Sequence, residues 1–340
     1  MPEISIGAQY DPLDGLPHLN LPWRQVEALD QTGGLRWHGF GNWIKVVLRI
    51  GKMIKYASDR RYFLAAIGGA ICASHRVMAL DALPLRIGLT PVFLDNEWVV
   101  LEYLRDHIQA VTGHATEFVQ RRTYKEVVAL LLLGELDAAW LCGYPLLQHA
   151  DRLQALALPV WNGAPRYRGY IITADDRQAS EIADLRGDIH AYSDPDSNSG
   201  HLVTVAELVA RNERPDGYFS RSFFTFGHRN VVRAVARRLA TSGSVDGYVY
   251  DALARTEPEL IAQTRVLWRS GWHGFPPFVF ATEARNASAT RAINDALFTL
   301  DQTASGRNVL GQLQLDGFAL PQPDSFDSIA ALMSRVAERD

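Results

Sequence analysis

The sequence predicts an α/β protein of two lobes, each a mostly parallel sheet flanked by helices. Three observations carry this. Strand-like and helix-like segments alternate through residues 85–141, they alternate again through residues 188–250, and a helical tail follows from about residue 288. That order implies that the chain passes between the lobes twice, near residues 168–172 and 268–276. One lobe is then expected from residues 83–169 with 272–340, and the other from residues 170–271. Two lobes joined by two crossovers close by hinge motion on a ligand between them.

The elements follow from local pattern. Leu85-Arg86-Ile87-Gly88-Leu89-Thr90 alternates and is stopped by Pro91, a first strand. Apolar residues at Trp98, Leu101, Leu104, Ile108 and Val111 mark a helix ending near Gly113, and Ala115 to Val119 reads as a second strand. Thr123-Tyr124-Lys125-Glu126 has the spacing of a capping box and opens a helix that Gly134 ends. Leu136 to Leu141 is a buried third strand running into Cys142-Gly143-Tyr144. Leu158–Trp161 and Tyr170–Thr173 read as further strands, as do Asp188–Tyr192 and Phe223–Phe226. Val245–Tyr250 reads as a strand with Asp251 at its exit, followed by strands at Arg265–Trp268 and Phe278–Phe280. Helices are expected at about 288–304, 308–315 and 325–338. Ligands of parallel sheets sit at the carboxyl ends of the strands, which places Thr90, residues 121–124 and Gly143-Tyr144 on the relevant edge.

Composition bounds the function. The chain has 340 residues, 47% of them hydrophobic and 21% charged, with a formal net charge of −4. It is not basic enough to suggest a nucleic-acid partner. Two cysteines, Cys72 and Cys142, exclude a disulfide scaffold and any cysteine-based metal cluster. No metal site and no cofactor are expected.

Residues 53–82 read as an export signal. Lys55, Arg60 and Arg61 precede the apolar run Tyr62–Ala73, which is too short to span a bilayer, and Ala79 and Ala82 offer small-residue cleavage positions. Arg60-Arg61-Tyr62-Phe63-Leu64 is similar to the twin-arginine motif, with Asp59 where that motif prefers a hydroxyl residue. Residues 1–52 carry no sustained periodicity; the simplest account is a start at Met53, and a genuine extension is the alternative. Cys142 is then the sole cysteine of the mature chain.

The most informative stretch is Ser193-Asp194-Pro195-Asp196-Ser197-Asn198-Ser199-Gly200, between a strand and an amphipathic helix. A helix N-terminus offers unpaired N–H groups and about half a positive charge, so a loop of small hydroxyl and amide residues there is suited to an oxyanion. The same residues also suit an ordinary helix cap.

Taken with Leu85–Pro91, Thr123–Glu126, Leu136–Trp140, Asp184-Leu185-Arg186-Gly187 and Val245-Asp246-Gly247-Tyr248, this loop resembles one family. That family is the periplasmic phosphate, phosphite and phosphonate-binding proteins of ABC transporters, within the type 2 periplasmic binding-protein fold. The likeness runs from about residue 84 to 320. It implies an oxyanion-binding triplet at Ser197, Asn198 and Ser199, with Asn198 where many members have threonine. It further implies ligand contacts from Tyr124, Tyr167 and His228, and from Tyr250 and Asp251 as the acidic corner. It implies no catalytic residue, a monomer, a phosphorus oxoanion as ligand, a membrane permease as partner, and a periplasmic location. Two other outputs fit the same pattern: a sensory protein signalling to a membrane kinase, and an enzyme acting on phosphoesters. Against the enzyme, the chain has no G-x-S-x-G, Walker lysine loop, H-E-x-x-H or paired-cysteine zinc pattern.

Overall fold

The computed structural model describes residues 84–90, 98–283 and 287–339, all within the compact unit Leu80–Asp340. The residues read as an export signal, and everything before them, lie outside the described residues.

The first lobe is built on a six-stranded sheet of order β13-β4-β12-β3-β1-β2. Its parallel part is β1 (Leu85–Leu89), β2 (Thr116–Gln120) and β3 (Ala138–Trp140), with β1 between the other two. Helix α1 (Trp98–Thr112) and helix α2 (Tyr124–Leu132) connect them. β3 is only Ala-Ala-Trp, fully buried, because it is covered on both faces at the middle of the sheet. Gly88 in β1 leaves room for that packing: a Cβ there would lie 2.7 Å from Leu136 and 2.9 Å from Ala139. α2 begins with the capping box read from the sequence. Thr123 Oγ1 accepts from Glu126 N at 3.2 Å, and Glu126 accepts from Thr123 N at 3.0 Å. Thr123→Ala is therefore expected to cost about 1 kcal/mol and to lower Tm by about 2–4 °C in a thermal melt.

After the short helix α3 (Gly143–Gln148) and strand β4 (Leu153–Val160), the chain leaves the first lobe through β5 (Arg166–Tyr167). It returns through β11 (His273–Gly274), which pairs antiparallel with β5. β12 (Phe278–Ala281) then inserts between β3 and β4. Trp140 stacks on Phe278 with ring centroids 5.2 Å apart and donates from Nε1 to Pro276 O at 2.8 Å. Helices α8 (Ala287–Phe298) and α9 (Ala304–Leu313) pack on α1, and β13 (Gly317–Ala319) completes the sheet edge.

The second lobe has a five-stranded sheet of order β10-β6-β9-β7-β8. It comprises β6 (Gly169–Ala174), β7 (Ile189–Tyr192), β8 (Arg221–Phe224), β9 (Ser242–Asp246) and β10 (Thr264–Arg269). Helices α4 (Val203–Ala210), α5 (His228–Ala236), α6 (Gly247–Thr256) and α7 (Pro258–Ile261) flank it. In both sheets the βα repeats run parallel, whereas the strands adjoining the crossovers run antiparallel, as β6 does against β9 and β10. Each sheet is thus mixed, because β12 and β6 enter from the opposite lobe and run against the repeats.

The helix expected at about 288–304 ends at Phe298 and the next begins at Ala304, and one strand and the packing of the chain end also differ from the sequence-based expectation. The segment expected as a strand to Tyr250 ends at Asp246, whose carboxylate accepts from Tyr248 N (2.8 Å) and Val249 N (3.3 Å) and starts α6. The strand is the inconspicuous Ser-Gly-Ser-Val-Asp, and the aromatic and β-branched run after it is helix packed into the core. The final helix α10 (Asp327–Ala337) packs on α4 of the second lobe as well as on α3 and β11. Ser328 meets His273 Nδ1 at 3.0 Å, and the Arg339 guanidinium donates to Val209 O and Asn212 O. The chain end therefore spans the crossover instead of packing with the first lobe alone.

Candidate functional site

Five helix starts converge where the lobes meet: those of α2 and α3 from the first lobe, and those of the turn before α4, of α5 and of α6 from the second. Each follows a strand's carboxyl end, so each brings N–H groups and the positive end of a helix dipole to one place.

The turn after β7 is the centre. Ser197 caps it, its Oγ accepting from Gly200 N at 3.0 Å. Residues Asn198–Leu202 form a π-helical turn, with Leu202 N donating to Ser197 O at 3.0 Å, before the α-helix proper begins at Val203. A turn this wide is uncommon and is found most often at functional sites. Gly200 is required by close approach: a Cβ there would lie 1.8 Å from Ser193 Oγ, 2.7 Å from Ser193 Cβ and 3.0 Å from His228 Cε1.

The turn is tied across to the first lobe. Asn198 N donates to Cys142 Sγ at 3.2 Å, and Asn198 Nδ2 donates to the Tyr167 hydroxyl at 3.0 Å. Asp194, ahead of the turn, accepts from Tyr124 N, the first helical residue of α2, at 3.4 Å. Burial raises the pKa of both Tyr167 and Asp246, and the Ser199 hydroxyl, facing each of them, offsets a small part of that rise. His228 Nδ1 accepts from Asp246 N at 3.0 Å, which leaves the ring proton on Nε2 as a donor. Tyr124, Tyr167, Ser197, Asn198, Ser199, His228, Asp194 and Asp246 are each 2% exposed or less.

Burial sets the protonation. It raises Tyr124 and Tyr167 well above the ordinary phenol range and pushes the Cys142 thiol up to about 11. Asp194 rises to about 6 and Asp246 to about 7, also by burial, while His228 is pushed down to about 3 and stays neutral. Among the described residues no Arg or Lys side chain hydrogen-bonds Tyr124, Tyr167, Ser197, Ser199, His228 or Asp246. Neutral hydroxyl, imidazole and amide donors thus surround two carboxylates that are partly protonated near neutral pH.

Of the residues singled out in the sequence, the structure brings Tyr124, Tyr167, Ser197, Asn198, Ser199 and His228 together. Tyr250 and Asp251 it places elsewhere. They lie inside α6 and not at a strand exit, so their side chains turn to β10 and β6: Tyr250 Oη shares a hydrogen bond with Thr264 at 3.0 Å, and Asp251 accepts from Tyr170 at 3.0 Å. The buried carboxylates beside the cluster are instead Asp246 and Asp194. Asp246 caps α6, Asp194 accepts from Asp196 N at 2.8 Å and from Tyr124 N, and burial raises the pKa of both. A separate cavity of about 680 Å³ is lined by Tyr192, His201, Phe219, Phe224, Arg214 and Arg339 among others, and by none of the interlobe polar cluster.

Comparison with known proteins agrees with this layout. Residues 87–326 match the family model described as "ABC transporter, phosphonate, periplasmic substrate-binding protein". The phosphonates-binding periplasmic protein of Escherichia coli K12 is 25% identical over 197 residues, which is 56% of this chain and 58% of that protein. The chain thus spans less than two thirds of that relative's length. The binding-protein component of an ABC phosphonate transporter from Pseudomonas aeruginosa superposes with TM-score 0.66 at 22% identity, covering 74% of this chain and 85% of that one. PhnD1 of Prochlorococcus marinus, solved in complex with methylphosphonate, superposes with TM-score 0.65 at 14% identity, covering 75% and 98%. These two likenesses establish the fold, a type 2 periplasmic binding protein, and the family model covers most of the chain. The chain belongs to the family of periplasmic substrate-binding proteins of phosphonate ABC transporters.

Proposed function

We propose that this chain is the solute-binding component of an ABC transporter. It takes up a phosphorus oxoanion, namely phosphate, phosphite or a phosphonate, between its lobes and presents it to a membrane permease. The observation that carries this reading is the convergence of helix N-termini on a buried cluster of neutral donors. An anion held there is stabilised without a cationic side chain, and hydrogen bonds to a charged ligand are worth roughly 1.5–3 kcal/mol each. Several of them support micromolar affinity after the cost of closure. The protein acts as a monomeric binder in the periplasm, not as a catalyst, and residues 53–82 provide its export signal.

The two buried carboxylates narrow the ligand. With pKa values near 6 and 7, Asp194 and Asp246 disfavour a fully ionised dianion and favour a ligand that brings a proton or an N–H group.

The test is calorimetry against inorganic phosphate, phosphite, methylphosphonate, 2-aminoethylphosphonate and sulfate. Binding by at least one phosphorus compound and weakening by at least tenfold in Ser199→Ala, with the apo Tm nearly unchanged, is the expected result. Silence across all the phosphorus compounds would overturn the reading. If Ser199→Ala lowered only stability, the turn would be a cap and nothing more.

A further inference from the structure

We propose that Arg122 and Phe226 form a latch across the mouth of the cleft, holding the closed form and setting how fast the lobes part. The proposal rests on closure of the two lobes over the interlobe site, and not on the ligand's identity. Arg122 is the middle residue of the β2–α2 loop of the first lobe, two residues before Tyr124. Phe226 sits in the β8–α5 loop of the second, two residues before His228. The Arg122 guanidinium carbon lies 4.5 Å from the centroid of the Phe226 ring. This places a cation over an aromatic face between the two loops that carry ligand-facing residues.

The backbone of Phe226 supports the assignment independently. Its φ is +54°, a left-handed conformation that a bulky residue rarely adopts and that glycine would take without strain. The loop is braced in that shape. Thr225 N and Thr225 Oγ1 both donate to Tyr192 O, at 2.9 and 3.1 Å, and Asn230 Nδ2 donates to Thr225 O at 3.3 Å. Strain of this kind persists where the surroundings over-determine it, and such residues gather at ligand clamps. Here the strained backbone delivers the ring to the other lobe. Arg122 is exposed and Phe226 only half-buried, so the contact is made at the rim and is lost as soon as the lobes separate.

Cys142 makes the motion measurable without a ligand, because its thiol is 2% exposed and accepts from Asn198 N across the same interface. In a Cys72→Ser background, the rate of maleimide labelling at Cys142 reports opening. Phe226→Ala and Arg122→Ala are each expected to label three- to fivefold faster (about 0.6–1 kcal/mol), and the double variant no faster than either. Phe226→Tyr is expected to keep the wild-type rate. Unchanged rates, independent multiplying effects in the double variant, or acceleration that merely tracks a fall in urea stability would each overturn the latch. Labelling is then repeated with methylphosphonate and with inorganic phosphate. If neither slows labelling of the wild type, the phosphorus reading fails, while the ligand-free rates still decide for or against the latch.

Discussion

Gly200→Ala is expected to weaken ligand binding by at least a hundredfold and to lower stability by about 1–3 kcal/mol. The added methyl would lie 1.8 Å from Ser193 Oγ and 2.7 Å from Ser193 Cβ. A hydroxyl can rotate away, but Ser193 Cβ is anchored at the end of β7, and Ser193 N is tied to Gly200 O at 3.1 Å. Relief therefore comes from displacing the turn itself, and with it Asn198 and Ser199. A binding constellation tolerates about 0.5 Å of such movement. Calorimetry and a thermal melt would check both parts. Adding Ser193→Gly removes the main obstruction and is expected to restore most of the affinity. If Gly200→Ala bound ligand as the wild type does, the turn would not be part of the site.

What is legible in the chain is whatever is local. Thr123 and Glu126 are three residues apart and declare the start of α2. Ser197 to Gly200 declare a helix start suited to an anion, because capping chemistry and anion chemistry use the same small polar residues. The acidic corner is not legible. Ser242-Gly243-Ser244 does not look like a strand, since β9 lies between β6 and β7 and needs small side chains: a Cβ on Gly243 would lie 2.6 Å from Val231. The following Tyr-Val-Tyr then attracts the strand assignment by its β-propensity and carries the expected carboxylate from Asp246 to Asp251. Contacts between lobes are invisible for a different reason. Cys142 to Asn198 and Arg122 to Phe226 are each far apart in sequence and meet only through the two crossovers. No spacing rule reaches them.

Asp246→Asn is expected to remove one group's pH dependence from binding, and the direction in which the wild type then departs from the variant reports the ligand class. The carboxyl is raised from 3.8 to about 7 by burial, with Asp251 adding repulsion and Ser199 and the amides of Tyr248 and Val249 opposing it. Tyr124, Tyr167 and Cys142 share the site and stay neutral, as does His228. Because the folded pKa is raised, the proton favours the folded state, and this group's contribution to stability falls as pH rises from about 4 to 7. Asparagine removes that loss while still capping α6, so the variant is expected to melt above the wild type, with a gap that widens from about pH 4 to pH 7 and then levels off. For binding, the ratio of the two Kd values cancels the ligand's own ionisation. With methylphosphonate, neutral Asp246 donates and ionised Asp246 repels. The wild type should match the variant near pH 5.5 and fall behind it by up to tenfold per pH unit above 7. With 2-aminoethylphosphonate, the ionised carboxylate pairs with the ammonium group, and the wild type should overtake the variant over the same range. A ratio flat in pH for both compounds would reduce Asp246 to a helix cap. A ratio that moves for one compound would distinguish, from one side chain, a bound oxoanion that carries a proton from one that carries an amine.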